Sequence, residues 1–290
     1  RPGFAVWFRH PYFLSRDNRV GTEVLRHTLD LPLFSTDGAE EASFENVETR
    51  WNARLQRELS RATRWGVEAS VYENRFLRDD GTPRKKALND AFVRRVALDS
   101  GRTVSVTPSF TVGRIVRERH LVEGVEGSAQ VELAHRAIGS GFGFAKGQAG
   151  ALWGWRASER WNIAGQARVG SKTGRGFQHK FYLGGLDTTR GFLDRQFRGE
   201  HMWMANLEAR PTLIDRPAWV LQGALYSDLG KTWDGRNFGA EGFHDPIFSY
   251  GGGVRLILTK VYRAVLRIDA ARTQRPVKQM GFNVGLQQFF

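Results

Sequence analysis

The sequence predicts an all-β protein, an antiparallel transmembrane β-barrel, and three observations carry that expectation. Apolar residues recur at period two along much of the chain, short polar connections alternate with long Gly- and charge-rich ones, and no apolar run approaches the roughly 18 residues a spanning helix needs. The period is plain over 261–271, where Tyr262, Ala264, Leu266, Ile268 and Ala270 share one face while Arg263, Arg267 and Asp269 share the other. A helix would scatter those charges around its circumference. A barrel strand keeps them together, because alternate side chains face lipid and lumen.

Strands are expected, in order, at 19–29, 44–58, 64–77, 102–113, 125–137, 144–157, 160–171, 201–212, 218–232, 246–258, 261–273 and 280–289. A strand crossing the bilayer at about 45° takes roughly 9–11 residues. With half of two loops it uses on the order of 24, so this length suggests about 12 strands. Stretches 1–9 and 91–98 are also strand-like, which leaves 14 open, and 16 is the larger alternative. An even count places both ends of the barrel on the periplasmic side. The chain is thus expected to divide into a short periplasmic N-terminal segment, 1–18, and a barrel, 19–290.

Short links at 59–64, 157–160 and 258–260 alternate with long ones at 29–43, 77–102, 171–200 and 233–246. Outer-membrane barrels sort their loops in this way, with short periplasmic turns and long extracellular loops. The 113–124 connection is the exception, long where a short turn is due. Trp51, Trp65, Trp153, Trp155, Trp161 and Trp219 fall near expected strand ends and read as an aromatic girdle at the lipid interface.

Chemistry is constrained by what is missing. The 290 residues include no Cys, which removes disulfides, thiolate zinc sites and cysteine nucleophiles. No histidines stand at H-E-x-x-H spacing, no Ser has Gly two residues before and after it, and GSGFGF at 139–144 lacks the third glycine of a dinucleotide fingerprint. An enzyme is not expected, nor a cofactor or metal. The 43 Lys and Arg against 30 Asp and Glu give a net charge of +13. These cations are spread over strands and loops, which argues against a nucleic-acid surface. Arg136, Lys146, Arg156, Arg168, Arg210, Arg255, Arg263 and Arg267 all fall on the expected inward face, giving a positively biased lumen. A passive, anion-preferring outer-membrane pore is therefore one reading, and a soluble basic β-protein another.

Two stretches go further. Residues 181–192 read FYLGGLDTTRGF, and the chain closes with GFNVGLQQFF. Together they resemble the barrel domain of the BamA and TamA outer-membrane assembly superfamily, which includes the two-partner secretion transporters. The resemblance covers about the last half of the chain. It implies that the long loop after Gly184 and Gly185 folds back into the lumen carrying Arg190, Gly191 and Phe192. It also matches NLEAR, with Glu208, and YSDLGKTW, with Asp228 and Gly230, to inward-facing positions on the next two strands. A buried guanidinium needs carboxylates, so Arg190 is expected to meet Glu208, Asp228 or both. A second RGF, at 175–177, does not follow the Gly pair.

The same resemblance makes Phe282, Asn283, Gly285 and Phe290 a C-terminal assembly signal, although Gln288 stands where the family has an apolar residue. It implies an integral protein of the bacterial outer membrane. Family members usually carry periplasmic POTRA domains before the barrel, and the roughly 18 residues ahead of the first expected strand are too few for one, so either a barrel-only member or a trimmed chain without POTRA domains is expected. The expected partners are outer-membrane lipids, the barrel assembly machinery, and a client protein or a second copy. The expected function is a minimal assembly or translocation barrel that perturbs the bilayer or opens a seam between its first and last strands, in protein or lipid insertion or transport.

Overall fold

The computed structural model describes residues 3–35, 38–77, 100–174, 176–235, 240–260 and 264–286. Fifteen strands are found among them: β1 (Phe4–His10), β2 (Asn18–Phe34), β3 (Glu40–Ser60), β4 (Thr63–Leu77), β5 (Gly101–Glu118), β6 (Leu121–Ala134), β7 (Phe144–Arg156), β8 (Trp161–Gly174), β9 (Phe181–Leu183), β10 (Phe197–Gly199), β11 (His201–Arg216), β12 (Trp219–Trp233), β13 (Ile247–Leu258), β14 (Ala264–Arg275) and β15 (Met280–Leu286). Thirteen of them form one sheet in chain order, each antiparallel to its neighbours, and β9 and β10 pair only with each other.

The count is therefore not twelve. All twelve expected segments are strands, but Phe4–His10 adds a thirteenth to the sheet by pairing with β2 from Phe4↔Arg26 to His10↔Val20. The candidate strand at 91–98 lies outside the described residues. Among the described residues this sheet has thirteen strands, each antiparallel to the next, so its two edges β1 and β15 run in the same direction and β1 starts at the long-loop end. Among the described residues no ladder joins these two edges, and sheet closure is not seen.

Alternation sets the two faces. On β11 and β12, Leu207 and Leu225 are 49% and 60% exposed while Glu208 and Asp228 are at 0%. A slip of one residue would exchange these sets, so the register is fixed by the pattern. Leu266 likewise points outward and Arg267 inward. The outward row is the lipid-compatible surface, and the inward row encloses polar groups against the 176–200 connection.

Two connections expected as loops are strand instead. Leu29, Leu31 and Leu33 continue the alternation of β2 beyond residue 29, and Leu33 and Phe44 are buried on the inner face. The β2–β3 ladder therefore runs on to Phe34↔Glu40. The exceptional 113–124 stretch is also ladder, ending in a tight turn at Arg119 and His120 with Glu118↔Leu121 as its last pair. Its glycines mark bends: Gly113 and Gly124 have φ of 90° and 108°, a region that side chains disfavour.

That bend carries the hairpin tip inward across the short-turn end. Arg119 makes a bidentate pair with Asp215 at 2.8 and 3.2 Å and also donates to the carbonyl of Arg216 at 3.0 Å. Asn162 brackets Val122, its Nδ2 donating to the carbonyl at 2.7 Å and its Oδ1 accepting from the N–H at 3.1 Å. His120, Leu121 and Val122 are buried, so this hairpin floors part of the interior.

Candidate functional site

The 184–196 loop joins β9 to β10 and is folded on itself before it meets the wall. The Thr188 hydroxyl accepts from the Gly184 N–H at 2.8 Å and donates to its carbonyl at 2.9 Å. Gly185 N–H reaches the carbonyl of Phe192 at 3.2 Å, closing the loop. Phe192 packs edge-on against Phe197 in an apolar cluster with Phe181, Leu183, Met202, Met204 and Ile247. This cluster fixes where the tip, Arg190, must point.

Arg190 is 1% exposed. Its Nε and Nη2 donate to Asp228 at 2.7 and 2.6 Å, its backbone N–H donates to the same carboxylate at 3.0 Å, and its Nη1 donates to Glu208 at 2.9 Å. The guanidinium carbon lies 3.4 Å from the centre of the Tyr226 ring, a cation–π contact in a desolvated setting. Burial acts to lower the Arg190 pKa, but the hydrogen bonds and charge of Asp228, then Glu208, outweigh it and hold the group above its ordinary value. It is a permanent cation.

The carboxylates are shared more widely. Glu208 also meets Arg210 at 3.0 Å and Arg255, and Arg267 donates to Asp269 at 2.8 Å. Asn206 donates to Asp228 at 2.7 Å and to the Thr188 carbonyl at 2.6 Å, while Gln166 donates to Asn206 at 2.8 Å. Four arginines and three carboxylates are thus buried together on β11–β14 and the loop. Removing one member strands its partner in a dry site.

The loop comes close to the wall because two glycines meet there. Gly191 has φ 88°, and a Cβ on it would lie 2.8 Å from Ala271 Cβ; a Cβ on Gly281 would lie 2.6 Å from the Gly191 carbonyl oxygen. Its N–H is taken by Asn283 Oδ1 at 3.2 Å. The loop is thereby tied to β15 as well as to β11 and β12.

A second anchor holds the start of the connection. His179 is buried, stacked 4.0 Å from Phe144, with Nδ1 3.0 Å from the Tyr72 hydroxyl. Tyr72 donates its single proton to Glu132 at 3.0 Å, so His179 must be the donor at Nδ1. Burial, reinforced by the charges of Lys146, Lys172 and Arg50, pushes its pKa down to about 3. Phe177 packs beside it against Phe44. The connection therefore straps the N-terminal wall to the C-terminal one.

What remains open lies on the N-terminal side. A cavity of about 1600 Å³ runs along β2–β8 from Arg19 and Arg64 near the short turns to His179 under the strap, lined by Arg50, Arg54, Lys146 and Arg168 among others. Several of these are paired, as Arg54 is with Glu68 and Arg64 with Glu126 at 3.0 Å. One half of the interior is filled by charge network and loop; the other half is hollow and lined by polar and charged side chains.

The residues singled out in the sequence are placed as follows. Arg190, Gly191, Glu208 and Asp228 meet; Gly184 and Gly185 shape the loop base, with φ of 117° and 85°; Gly230 lies under Leu183. Phe282 is exposed on the outer face, while Asn283 and Gly285 face the loop, a contact that the C-terminal motif did not foretell. Phe290 lies outside the described residues, as do Arg175 and Arg263. Trp65, Trp153, Trp155, Trp161 and Trp219 stand at the short-turn ends of strands, but Trp51 is mid-strand in β3, as it is in the expected 44–58 segment, and so does not stand at a strand end. Arg136 sits exposed in a 3-10 turn, not on the inner face. Tyr226 and Asn206 were missed, although each stands two residues before a predicted carboxylate and so shares its face.

Among solved structures the fold is similar to that of BamA from Haemophilus ducreyi lacking POTRA domains 1–3, at 12% identity and a TM-score of 0.73, over 97% of this chain and 61% of that one. It is also similar to CdiB from Escherichia coli, at 14% identity and a TM-score of 0.64, over 97% of this chain and 51% of that one. CdiB from Acinetobacter baumannii gives 13% and 0.61, over 99% and 50%. The chain thus spans about half to three-fifths of the length of these structures. A comparison with curated proteins gives no match. Residues 2–290 match the Omp85 superfamily domain, and the chain belongs to that superfamily of integral β-barrels of the bacterial outer membrane.

Proposed function

We propose that this chain acts without covalent chemistry, as a barrel that admits a β-strand at the seam between β1 and β15 in the assembly or transport of a client protein. The observation that carries the reading is the contrast between the two edges and the rest of the wall. β1 is 7 residues long against 17 in β2, every residue of it is exposed, and Phe282, Val284 and Leu286 on β15 are 68–75% exposed. Each edge has one ladder partner among the described residues, so each offers a row of backbone groups to another strand. Because β1 and β15 run the same way, a single strand laid between them is antiparallel to both. The loop-locked C-terminal half gives that exchange a rigid frame, and the hollow N-terminal half gives it room.

The test places a photo-crosslinking residue at Phe8 or Val284, and at Leu225 as a mid-wall control, in proteoliposomes presented with an unfolded outer-membrane barrel. Crosslinks to that client at both edges and not at Leu225, with faster client folding than in empty liposomes, support the reading. Equal labelling at all three sites, or none, contradicts it. A second reading is a passive anion-preferring pore, favoured by the arginines and lysine along the cavity. Steady conductance with anion selectivity, alongside no client crosslinks, would support that instead.

A further inference from the structure

We propose that the short-turn end of the barrel is a collar for anionic phospholipid headgroups, made by strand-end tryptophans paired with arginines on the outer wall. The pairing recurs around the sheet. Arg57 stands directly opposite Trp65 in the β3–β4 ladder, and Arg216 directly opposite Trp219 in β11–β12. Arg114, Val125 and Trp153 form one row across β5, β6 and β7. Arg160 immediately precedes Trp161 at the start of β8. Residues opposite one another in an antiparallel ladder share a face, so each of these ladder-paired guanidinium groups lies beside an indole or in its row.

Charge and exposure fit the same occupant. Arg57, Arg114, Arg160, Arg216 and Trp161 are exposed, Trp65, Trp153 and Trp219 are half-buried, and Val125 beside Arg114 is exposed as well, so the rim presents charge next to apolar surface, as a headgroup layer above acyl chains does. Three carboxylates of the rim are already engaged: Glu58 by Arg19 at 2.7 Å, Glu118 by Arg156 at 2.9 Å and Asp215 by Arg119 at 2.8 Å. Arg57, Arg114, Arg160 and Arg216 have no ion pair among the described residues, and Asp17, Glu123 and Glu159 are too few to balance them with Arg61 and Lys260. An indole settles at the depth of the glycerol and carbonyl groups, and a guanidinium beside it reaches the phosphate and can hold it through two N–H groups. Short turns face the periplasm in this class of barrel, so the leaflet concerned is the inner one, whose phospholipids supply the negative charge.

The experiment releases the intact chain from nanodiscs of equal phosphatidylglycerol and phosphatidylcholine into the mass spectrometer and compares the lipids retained. We expect phosphatidylglycerol to be retained over phosphatidylcholine by roughly fivefold or more, falling towards parity in about 0.5 M NaCl, where screening shortens the reach of exposed charges. The variant R57Q/R114Q/R160Q/R216Q should approach parity at low salt. If that variant does not fold, the salt series on the unaltered chain decides, together with the single variant R160Q, which should lower the preference measurably. Equal retention of both lipids by the unaltered chain, a preference indifferent to salt, or one unchanged in the folded variant overturns the proposal. So does capture of poly-L-glutamate by the chain in pure phosphatidylcholine with no lipid preference, which would assign the surface to an acidic protein.

Discussion

Arg190 and Asp228 are joined three times, through the backbone N–H, Nε and Nη2 of the arginine, and the two residues lie 38 positions apart on different elements. A loop held in this way cannot drift along the interior without breaking a buried charge pair. Replacing Asp228 with Ala leaves the guanidinium with Glu208 alone, and a destabilisation of about 3–5 kcal/mol is expected. Arg190→Lys should rescue little, since an ammonium cannot span two carboxylates in a fork. The readout is the temperature at which the folded, faster-migrating band is lost on unheated gels.

Gly191→Ala is expected to lower the folded fraction with the whole charge network intact. The added Cβ meets Ala271 and must adopt φ 88°, a strain of about 1–3 kcal/mol before the clash is counted. Gly281→Ala, which presses on the same loop backbone from the wall, should behave alike. Loss in one variant and not the other would mean that the contact between them does not set the loop's position.

His179 gives a pH dependence whose sign follows from its neutral, buried ring. Its folded pKa of about 3 lies below the ordinary value of 6.5, so the unfolded chain binds the extra proton between those limits. Its contribution to stability is complete above pH 6.5 and is lost as pH falls towards 3, by about 1.4 kcal/mol per unit. Thermal unfolding across that range should be steeper in pH for the unaltered chain than for His179→Gln. Parallel curves would show that the ring is not held neutral.

The pair between Arg119 and Asp215 is half exposed and should contribute less to stability than to position. Asp215→Ala is expected to shift stability by under about 1 kcal/mol. The β5–β6 hairpin, still bracketed by Asn162 at Val122 but loosened at Arg119, should open more often, and single-channel conductance should rise. Unchanged conductance would place the barrier elsewhere.

Much of this was legible in the residues. Alternation located all twelve expected segments and told which way Leu266 and Arg267 point, because a barrel strand carries its environment in every second residue. The loop and its carboxylates followed from a motif and the chemistry of a buried arginine. The hairpin at 113–124 did not, since glycine marks a loop and a bend in a ladder with the same letter, and only the positive φ of Gly113 and Gly124 separates them. Phe4–His10 was visible as a strand, but its place in the sheet depends on pairing, which no single segment encodes. The tie between Asn283 and Gly191 spans 92 positions and has no local signature.

The central claim is a barrel with one locked half and a labile seam. Amide hydrogen exchange, followed by mass spectrometry on the chain in nanodiscs, tests it without a client. β11–β14 carry the buried charge network and should exchange slowest, while β1 and β15, each with a single ladder partner among the described residues, should exchange fastest among the strands. Protection of β1 and β15 equal to that of β12 would contradict the account.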